Sequence, residues 1–216
     1  MADMSQNQEQ VVSVARMQVL VAACFERIYA ALVSDGSAPP EFADLSSISC
    51  PFFVTLTTRD KTGSYSKLRG CIGTLAPRPI AHITDFALKS AFEDSRFPPL
   101  ELVDLPTVRI SISLLVCFEP AATELDWVVG VHGIKLQLTA HSRTYSATFL
   151  PEVASEQKWD KQSTIAALAR KAGYEGRLDD VSDIRITRYQ STKCGLTYSE
   201  WLAGRGGQLP NISLSS

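Results

Sequence analysis

The stretch Val108-Arg-Ile-Ser-Ile-Ser-Leu-Leu-Val116 decides the fold class, because it is the clearest strand signal in the chain. Apolar residues occupy every second position from Val108, and Arg109, Ser111 and Ser113 lie between the first four of them. Successive side chains of a strand point to opposite faces, so this segment has one apolar face and one polar face. Upstream, residues 52–58 are rich in aromatic and β-branched residues, which predicts a second strand.

Helices and further strands surround these two segments without a strict strand–helix–strand order. Apolar residues at steps of three and four predict helices over 14–32, 80–92 and 161–171, and short helices are predicted after Pro151 and after the capping-box pattern Thr197-x-x-Glu200. More strands are predicted over 65–75, 133–139, 143–149 and 184–189. Because tight hairpin turns imply antiparallel pairing, we predict an α+β fold with an antiparallel sheet flanked by helices.

The composition is that of a globular protein. Of 216 residues, 45% are apolar and 20% are charged, and the net charge is −2. This charge excludes a generally basic binder of polyanions, so nucleic-acid binding would need a local basic patch. The polar start of the chain lacks a signal peptide's basic region, and Arg16, Glu26 and Arg27 interrupt the apolar segment that follows. That segment is too charged to span a bilayer, so we expect a soluble protein.

Cysteine usage favours a reducing compartment. The five cysteines, at 24, 50, 71, 117 and 194, form no Cys-x-x-Cys pair and no cluster with histidine. A structural zinc site and a disulfide scaffold are therefore not expected, and no cofactor motif is found. We expect an intracellular location, with cytoplasm and nucleus both open.

One glycine-rich stretch, Lys67-Leu-Arg-Gly-Cys-Ile-Gly-Thr74, stands out as a candidate site. If it is extended, Arg69 and Cys71 lie on one face with backbones roughly 6.5–7 Å apart. A guanidinium that close favours the thiolate and lowers the cysteine pKa. Gly70 and Gly73 remove side chains beside the sulfur, which permits a bend or the close approach of a ligand.

The charge around this stretch suggests an anionic partner. Residues 59–78 contain five basic residues, including Lys67 and Arg69, and one acidic residue. In an acidic protein that asymmetry favours a small anionic ligand or an RNA backbone near the loop. In the alternative interpretation the glycines form a bulge, Cys71 packs, and the cations are simply solvated.

Two more segments carry candidate site residues. His132 stands beside glycine at the start of a predicted strand, and a histidine is the usual base for a nucleophilic cysteine such as Cys71. Asp94 and Arg96 precede the rigid Phe97-Pro-Pro99 connection. Arg96 is predicted either to pair with a carboxylate or to join Arg69 in an anion site.

Several of these segments together resemble the AMMECR domain family (AMME chromosomal-region protein). The matching motifs are Leu68-Arg-Gly-Cys-Ile-Gly73, Asp94-Ser-Arg-Phe-Pro-Pro99, the segment 125–134, Phe149-Leu-Pro-Glu-Val-Ala154, Lys171-Ala-Gly-Tyr174 and Thr187-Arg-Tyr189. The resemblance covers nearly the whole chain. It implies one domain over 11–203 with two closely packed lobes, a flexible lead at 1–10 and a flexible tail at 204–216.

The resemblance supplies no established reaction. Family domains are in some genomes fused to, or encoded beside, Memo-like and radical-SAM proteins, which implies a modification pathway. Three hypotheses therefore remain. In one, Cys71 and His132 are catalytic in a cysteine-dependent pathway. In another, Lys67, Arg69, Gly70, Gly73, Asp94 and Arg96 bind a small anionic ligand or RNA without chemistry. In the third, the protein is an adaptor in which a lobe surface binds a protein partner and the glycine-rich motif is only a packed corner. The oligomeric state is open.

Overall fold

The fold combines helices with one antiparallel sheet. The computed structural model describes residues 12–34, 42, 45, 47–140, 142–178, 181 and 183–205. Within them the strands are β1 (Ser49–Thr58), β2 (Lys67–Pro79), β3 (Val108–Pro120), β4 (Gly133–Ala140), β5 (Arg143–Phe149) and β6 (Ile184–Thr197). The helices are α1 (Val14–Leu32), α2 (Ile83–Phe92), α3 (Pro151–Glu156), α4 (Lys161–Lys171) and α5 (Tyr198–Gly204).

The six strands form a single sheet in the order β2-β1-β3-β6-β4-β5. The pairs β1–β2, β1–β3, β4–β5 and β4–β6 are antiparallel. The α+β prediction is confirmed. The polar and apolar faces predicted for β3 are also confirmed, since Ile110 lies opposite Leu56 and Ser111 lies opposite Thr55.

The chain divides into two compact units. The first takes the described residues up to Leu114 and from Lys193 onward, and the second is Leu115–Thr192. In the first unit, α1 buries one apolar stripe formed by Met17, Leu20, Val21, Cys24, Phe25 and Ile28. Alternate residues of β1 and β3 complete this core. Each fully buried large apolar side chain contributes roughly 1.5–3 kcal/mol to folding.

The second unit has its own core. Alternate residues of β4 (Ile134, Leu136 and Leu138) belong to the same core cluster as Leu168 of α4 and Trp127, which lies in the segment between β3 and β4. Asp160 caps α4 by accepting a hydrogen bond from the Ser163 N–H at 2.7 Å, as its sequence position predicts. The Trp127 indole N–H donates to the Glu124 carbonyl at 3.0 Å, so this large buried side chain leaves no polar atom without a partner.

Sequence periodicity predicted most elements but not their full lengths. The helix 161–171 and the capping box at Thr197 and Glu200 are confirmed. The strand expected over 184–189 continues to Thr197, and the helix expected over 80–92 begins with a 3₁₀ turn before α2. The predicted lead at 1–10 lies outside the described residues, as does the predicted tail beyond residue 205.

Helix α2 packs unusually close to β2, and Gly70 is the reason. A Cβ built on Gly70 would lie 2.0 Å from the Ser90 carbonyl oxygen, a backbone atom that cannot rotate away. The buried Ser90 hydroxyl accepts a hydrogen bond from the Ile72 N–H at 2.9 Å and donates to the Val54 carbonyl at 2.9 Å. The helix therefore bonds directly to both strands, which only a glycine at position 70 permits.

Gly70→Ala is expected to destabilise the protein by about 2–3 kcal/mol, because the new methyl group must push α2 away from the sheet. Urea unfolding followed by circular dichroism measures this change. Gly204→Ala is the matched control, since nothing lies within 4 Å of a Cβ at that position. It should change stability by less than about 0.5 kcal/mol. Equal unfolding midpoints for the two variants would contradict the packing described.

Candidate functional site

Cys71 lies on the outer strand of the sheet. Strand β2 pairs with β1 on one side only, and Cys71 stands opposite Thr55 in that pairing. The side chain is half-buried, and its sulfur lies 3.3 Å from the Thr55 hydroxyl oxygen. The register continues from Thr55 to Ser111 on β3, so the thiol belongs to a row of small polar side chains.

The backbone of Cys71 is held by two side chains at the edge of the sheet. The Asp94 carboxylate accepts a hydrogen bond from the Cys71 N–H at 2.8 Å, and the Arg96 guanidinium donates to the Cys71 carbonyl at 3.2 Å. Edge strands ordinarily present such groups to solvent. Here both are paired, so the backbone at Cys71 is held in place.

Asp94 and Arg96 also bind each other through two parallel hydrogen bonds. Arg96 Nε donates to Asp94 Oδ1 at 2.9 Å, and Arg96 Nη2 donates to Asp94 Oδ2 at 2.6 Å. The Asp94 side chain is 4% exposed, whereas that of Arg96 is 55% exposed. The predicted pairing of Arg96 with a carboxylate is therefore confirmed, and the carboxylate is a near neighbour in sequence.

The contacts between Asp94, Arg96 and Cys71 shift the pKa values of Asp94 and Arg96. Hydrogen bonds from the Arg96 side chain, and from the N–H groups of Cys71 and Arg96, hold the pKa of Asp94 well below its usual range. The same bonds to Asp94 raise the pKa of Arg96, and the coulombic interaction with Cys71 raises it further. Arg96 is thus a cation that interacts electrostatically with the Cys71 side chain.

Arg69 lies at an irregularity in β2. The register passes from Leu56 opposite Gly70 to Thr57 opposite Leu68, so Arg69 is an extra residue in β2. Such a bulge interrupts the regular alternation of side chains, and the closeness of Arg69 to the Cys71 thiol stays a prediction. Arg69 Nη2 donates to the Pro99 carbonyl at 3.2 Å and to Asp104 at 3.5 Å.

The remaining residues of the glycine-rich stretch have structural surroundings. Lys67 is exposed at the first position of β2. A Cβ on Gly73 would lie 2.4 Å from the Phe53 ring, so this glycine admits an aromatic side chain. Packing against Phe53 and α2 explains both glycines. Their role in binding a ligand stays a prediction.

His132 lies in the second unit, whereas Cys71 lies in the first. The His132 Nδ1 atom accepts a hydrogen bond from the Val128 N–H at 3.0 Å, and the His132 backbone N–H donates to the Val128 carbonyl at 2.9 Å. The ring nitrogen that holds the basic lone pair is therefore occupied. The pairing of His132 with Cys71 stays a prediction.

An ion-pair network joins two other motif segments within the second unit. Arg188 Nη1 donates to Asp126 Oδ1 at 2.7 Å, and Arg188 Nη2 donates to Glu119 Oε2 at 3.0 Å. Arg188 also donates to the Asp126 carbonyl at 3.0 Å. The network fixes the loop before Trp127 against β6, so these motif residues have a structural role.

Sequence reasoning missed Asp104, Thr55 and Ser90. Each becomes relevant only through a contact across at least 16 positions, with Arg69, Cys71 and Ile72 respectively. No local pattern marks them. The short Asp94-Ser-Arg96 spacing was the one usable signal for the contacts that Asp94 and Arg96 make with the Cys71 backbone.

Comparison with known proteins gives the family. A family model described as AMMECR1 matches residues 21–194. The chain belongs to the AMMECR1 family. It is 41% identical over 180 residues to "Uncharacterized protein C688.03c" of Schizosaccharomyces pombe, which covers 83% of this chain and 92% of the relative. It is 40% identical over 185 residues to "Uncharacterized protein At2g38710" of Arabidopsis thaliana, covering 83% and 85%.

A solved structure shares the fold. The crystal structure of uncharacterized protein PH0010 from Pyrococcus horikoshii aligns with a TM-score of 0.69 at 24% identity. The alignment covers 83% of this chain and 90% of that one. At this identity the similarity supports the α+β architecture alone.

Membrane-spanning helices and clusters of metal ligands are both absent from the described part of the chain. None of its helices combines the length and apolar character needed to cross a membrane. Nor do its histidine, cysteine, aspartate and glutamate side chains gather in threes or more as a metal site requires. The contacts of Asp94 and Arg96 with each other and with the Cys71 backbone define the candidate site, which is called the clamp below.

Asp94→Asn is expected to destabilise the protein by about 2–4 kcal/mol at pH 7, since it leaves Arg96 without its charged partner. A carboxylate with a lowered folded-state pKa stabilises fully above its unfolded pKa of about 4 and loses that effect as pH falls toward the folded value. The difference between wild type and variant should therefore be constant from about pH 5 to 8 and shrink below about pH 4. Urea unfolding at several pH values measures it.

Asp183→Asn provides a matched control. Asp183 forms the same two bonds with Arg185 at the same spacing, but both side chains are largely exposed. An exposed pair contributes about 0–1 kcal/mol, so this variant should be nearly neutral. An equal loss of unfolding free energy in the two variants would show that burial and the bond to Cys71 add nothing to the stabilisation that Asp94 provides.

Proposed function

We propose that this AMMECR1-family protein is a cysteine-dependent component of a modification pathway, with Cys71 as its reacting group. The observation that carries the proposal is the hold on the Cys71 backbone by Asp94 and Arg96. Holding the backbone of a reacting residue in place lowers the barrier to reaction, because less entropy is lost in orienting the group during the reaction itself. The exposed guanidinium of Arg96 adds the positive charge that favours a thiolate.

Other cysteines of the chain lie in less reactive surroundings. Burial raises the pKa of Cys50 to about 11 and raises that of the fully buried Cys24 still further. Burial also raises the pKa of Cys194. Cys71 differs in having the Thr55 hydroxyl at 3.3 Å, which donates to a thiolate or accepts from a thiol. These contrasts distinguish Cys71 from the three cysteines whose pKa values are raised, while Cys117 is exposed and serves below as the reference.

The proposed step is substitution at an electrophilic carbon or sulfur that carries a leaving group. The Cys71 thiol releases its proton to water, and its sulfur forms a bond to the electrophile with the electron pair that remains. The leaving group departs with the electrons of its own bond. Arg96 stabilises the thiolate before attack, so the step does not depend on His132, whose basic lone pair already accepts from Val128.

An intracellular location is part of the proposal, since a reducing compartment keeps such a thiol available. The reacting partner is defined only as an electrophile with a leaving group. The position of Arg96 suggests that an anionic group on that partner would be accepted beside Cys71.

Arg96→Gln is expected to slow the reaction of Cys71 with iodoacetamide at pH 7 by about threefold to tenfold, because the thiolate loses its cation. Peptide mass spectrometry follows each cysteine separately over time. The exposed Cys117 serves as an internal reference whose rate should not change, and the buried Cys24 should stay unmodified.

Arg185→Gln is the matched control variant, since it removes an exposed guanidinium from an Asp-x-Arg pair that belongs to the second unit. It should leave the Cys71 rate unchanged. If Arg96→Gln also leaves that rate unchanged, or if wild-type Cys71 resists the reagent as Cys24 does, the proposed role of Cys71 fails.

A further inference from the structure

A pocket in the first unit contains charged residues that the Cys71 proposal does not use. Its volume is about 530 Å³. It is lined by Thr58, Arg59, Tyr65, Arg69, Asp104, Pro106, Thr107 and Ser199. From the residues of this pocket we propose that it binds the phosphate group of a small organic phosphate.

Arg69 supplies one of the two cations. The bulge in β2 places its side chain in the pocket wall, where it is 14% exposed. Its Nη2 donates to Pro99 and Asp104. Its Nη1 is buried and has no hydrogen-bond partner among the described residues, so an acceptor on a ligand pairs with it once the Arg69 side chain moves toward the pocket. Phosphate oxygens are the acceptors that match a guanidinium best.

Arg59 makes the charge of the pocket positive. The charge of Asp104 is balanced by Arg69 at 3.5 Å, and Asp104 also accepts from the Glu101 N–H at 3.2 Å. The second guanidinium, that of Arg59, then leaves one net positive charge in the wall. Its central carbon lies 5.0 Å from the centre of the Tyr65 ring, and this cation–π contact holds the guanidinium in place.

The remaining lining residues suit an organic phosphate better than a bare ion. The hydroxyl groups of Thr58 and Ser199 add donors beside the two guanidinium groups, whereas the Thr107 hydroxyl already donates to the Asp104 carbonyl at 2.7 Å. Tyr65 and Pro106 supply apolar surface against which a flat organic part can pack. The pocket therefore offers charge for the phosphate and an aromatic face for the rest of the molecule.

Phenyl phosphate is the probe that matches these features. Titration into the wild-type chain, followed by ¹H–¹⁵N chemical shifts, should show saturable binding with the largest shifts at pocket residues. Arg59→Gln should weaken binding at least fivefold, and Tyr65→Leu should weaken phenyl phosphate more than inorganic phosphate. Arg59 is exposed, so its variant tests the pocket even if Arg69→Gln does not fold.

Three results would overturn the proposal. One is that Arg59→Gln and Tyr65→Leu bind phenyl phosphate as tightly as the Arg185→Gln control. Another is that benzoate binds as tightly as phenyl phosphate, which would assign the pocket to carboxylates. The third is binding of a single-stranded ribo-oligonucleotide without any binding of phenyl phosphate. The Cys71 alkylation rate is measured separately, so failure of this site and failure of the thiol proposal remain distinguishable.

Discussion

The buried carboxylate of Asp94 is the constraint on which the candidate site depends. Its two oxygens accept hydrogen bonds from the Cys71 N–H, the Arg96 N–H and the Arg96 side chain. Asp94 follows α2 by two residues, so these bonds connect the end of that helix with the outer edge of β2. An edge strand with unpaired groups invites pairing with other chains, and this carboxylate removes one such group.

A buried ion pair is a costly way to achieve stability alone. Desolvation of the two charges offsets much of their attraction, and apolar replacements often stabilise as well. The Asp94–Arg96 pair does something that an apolar pair cannot do. It binds both backbone groups of Cys71 and leaves a partly exposed guanidinium at the Cys71 carbonyl. The close packing of α2 through Gly70 and Ser90 holds the same strand, so the backbone at Cys71 is positioned by two sets of contacts.

Periodicity and capping patterns predicted the local elements well. The strand β3 and the helix α4 follow directly from the spacing of apolar residues and from the cap at Asp160. Sequence also singled out Cys71, Asp94 and Arg96, because unusual residue types stand close together in short motifs. These predictions need only neighbours along the chain, which is why they were accessible.

Contacts between distant segments were not accessible in this way. The bulge at Arg69 depends on how β2 pairs with β1, and pairing is a property of two strands. The contact of the Arg69 guanidinium with Asp104, 35 positions away, was therefore not predicted. The phosphate pocket likewise draws its residues from several separated segments. The residue types alone indicated a basic region, but they did not indicate which of its cations line the same pocket.

Amide hydrogen exchange at Cys71 tests the clamp most directly. If the Asp94 carboxylate holds this N–H, the amide should exchange slowly in the wild-type protein even though it points away from β1. In Asp94→Ala its protection should fall at least tenfold further than that of amides in the central strand β3, which report overall stability. Fast exchange at Cys71 in the wild type, or an equal loss of protection at both places, would contradict the account.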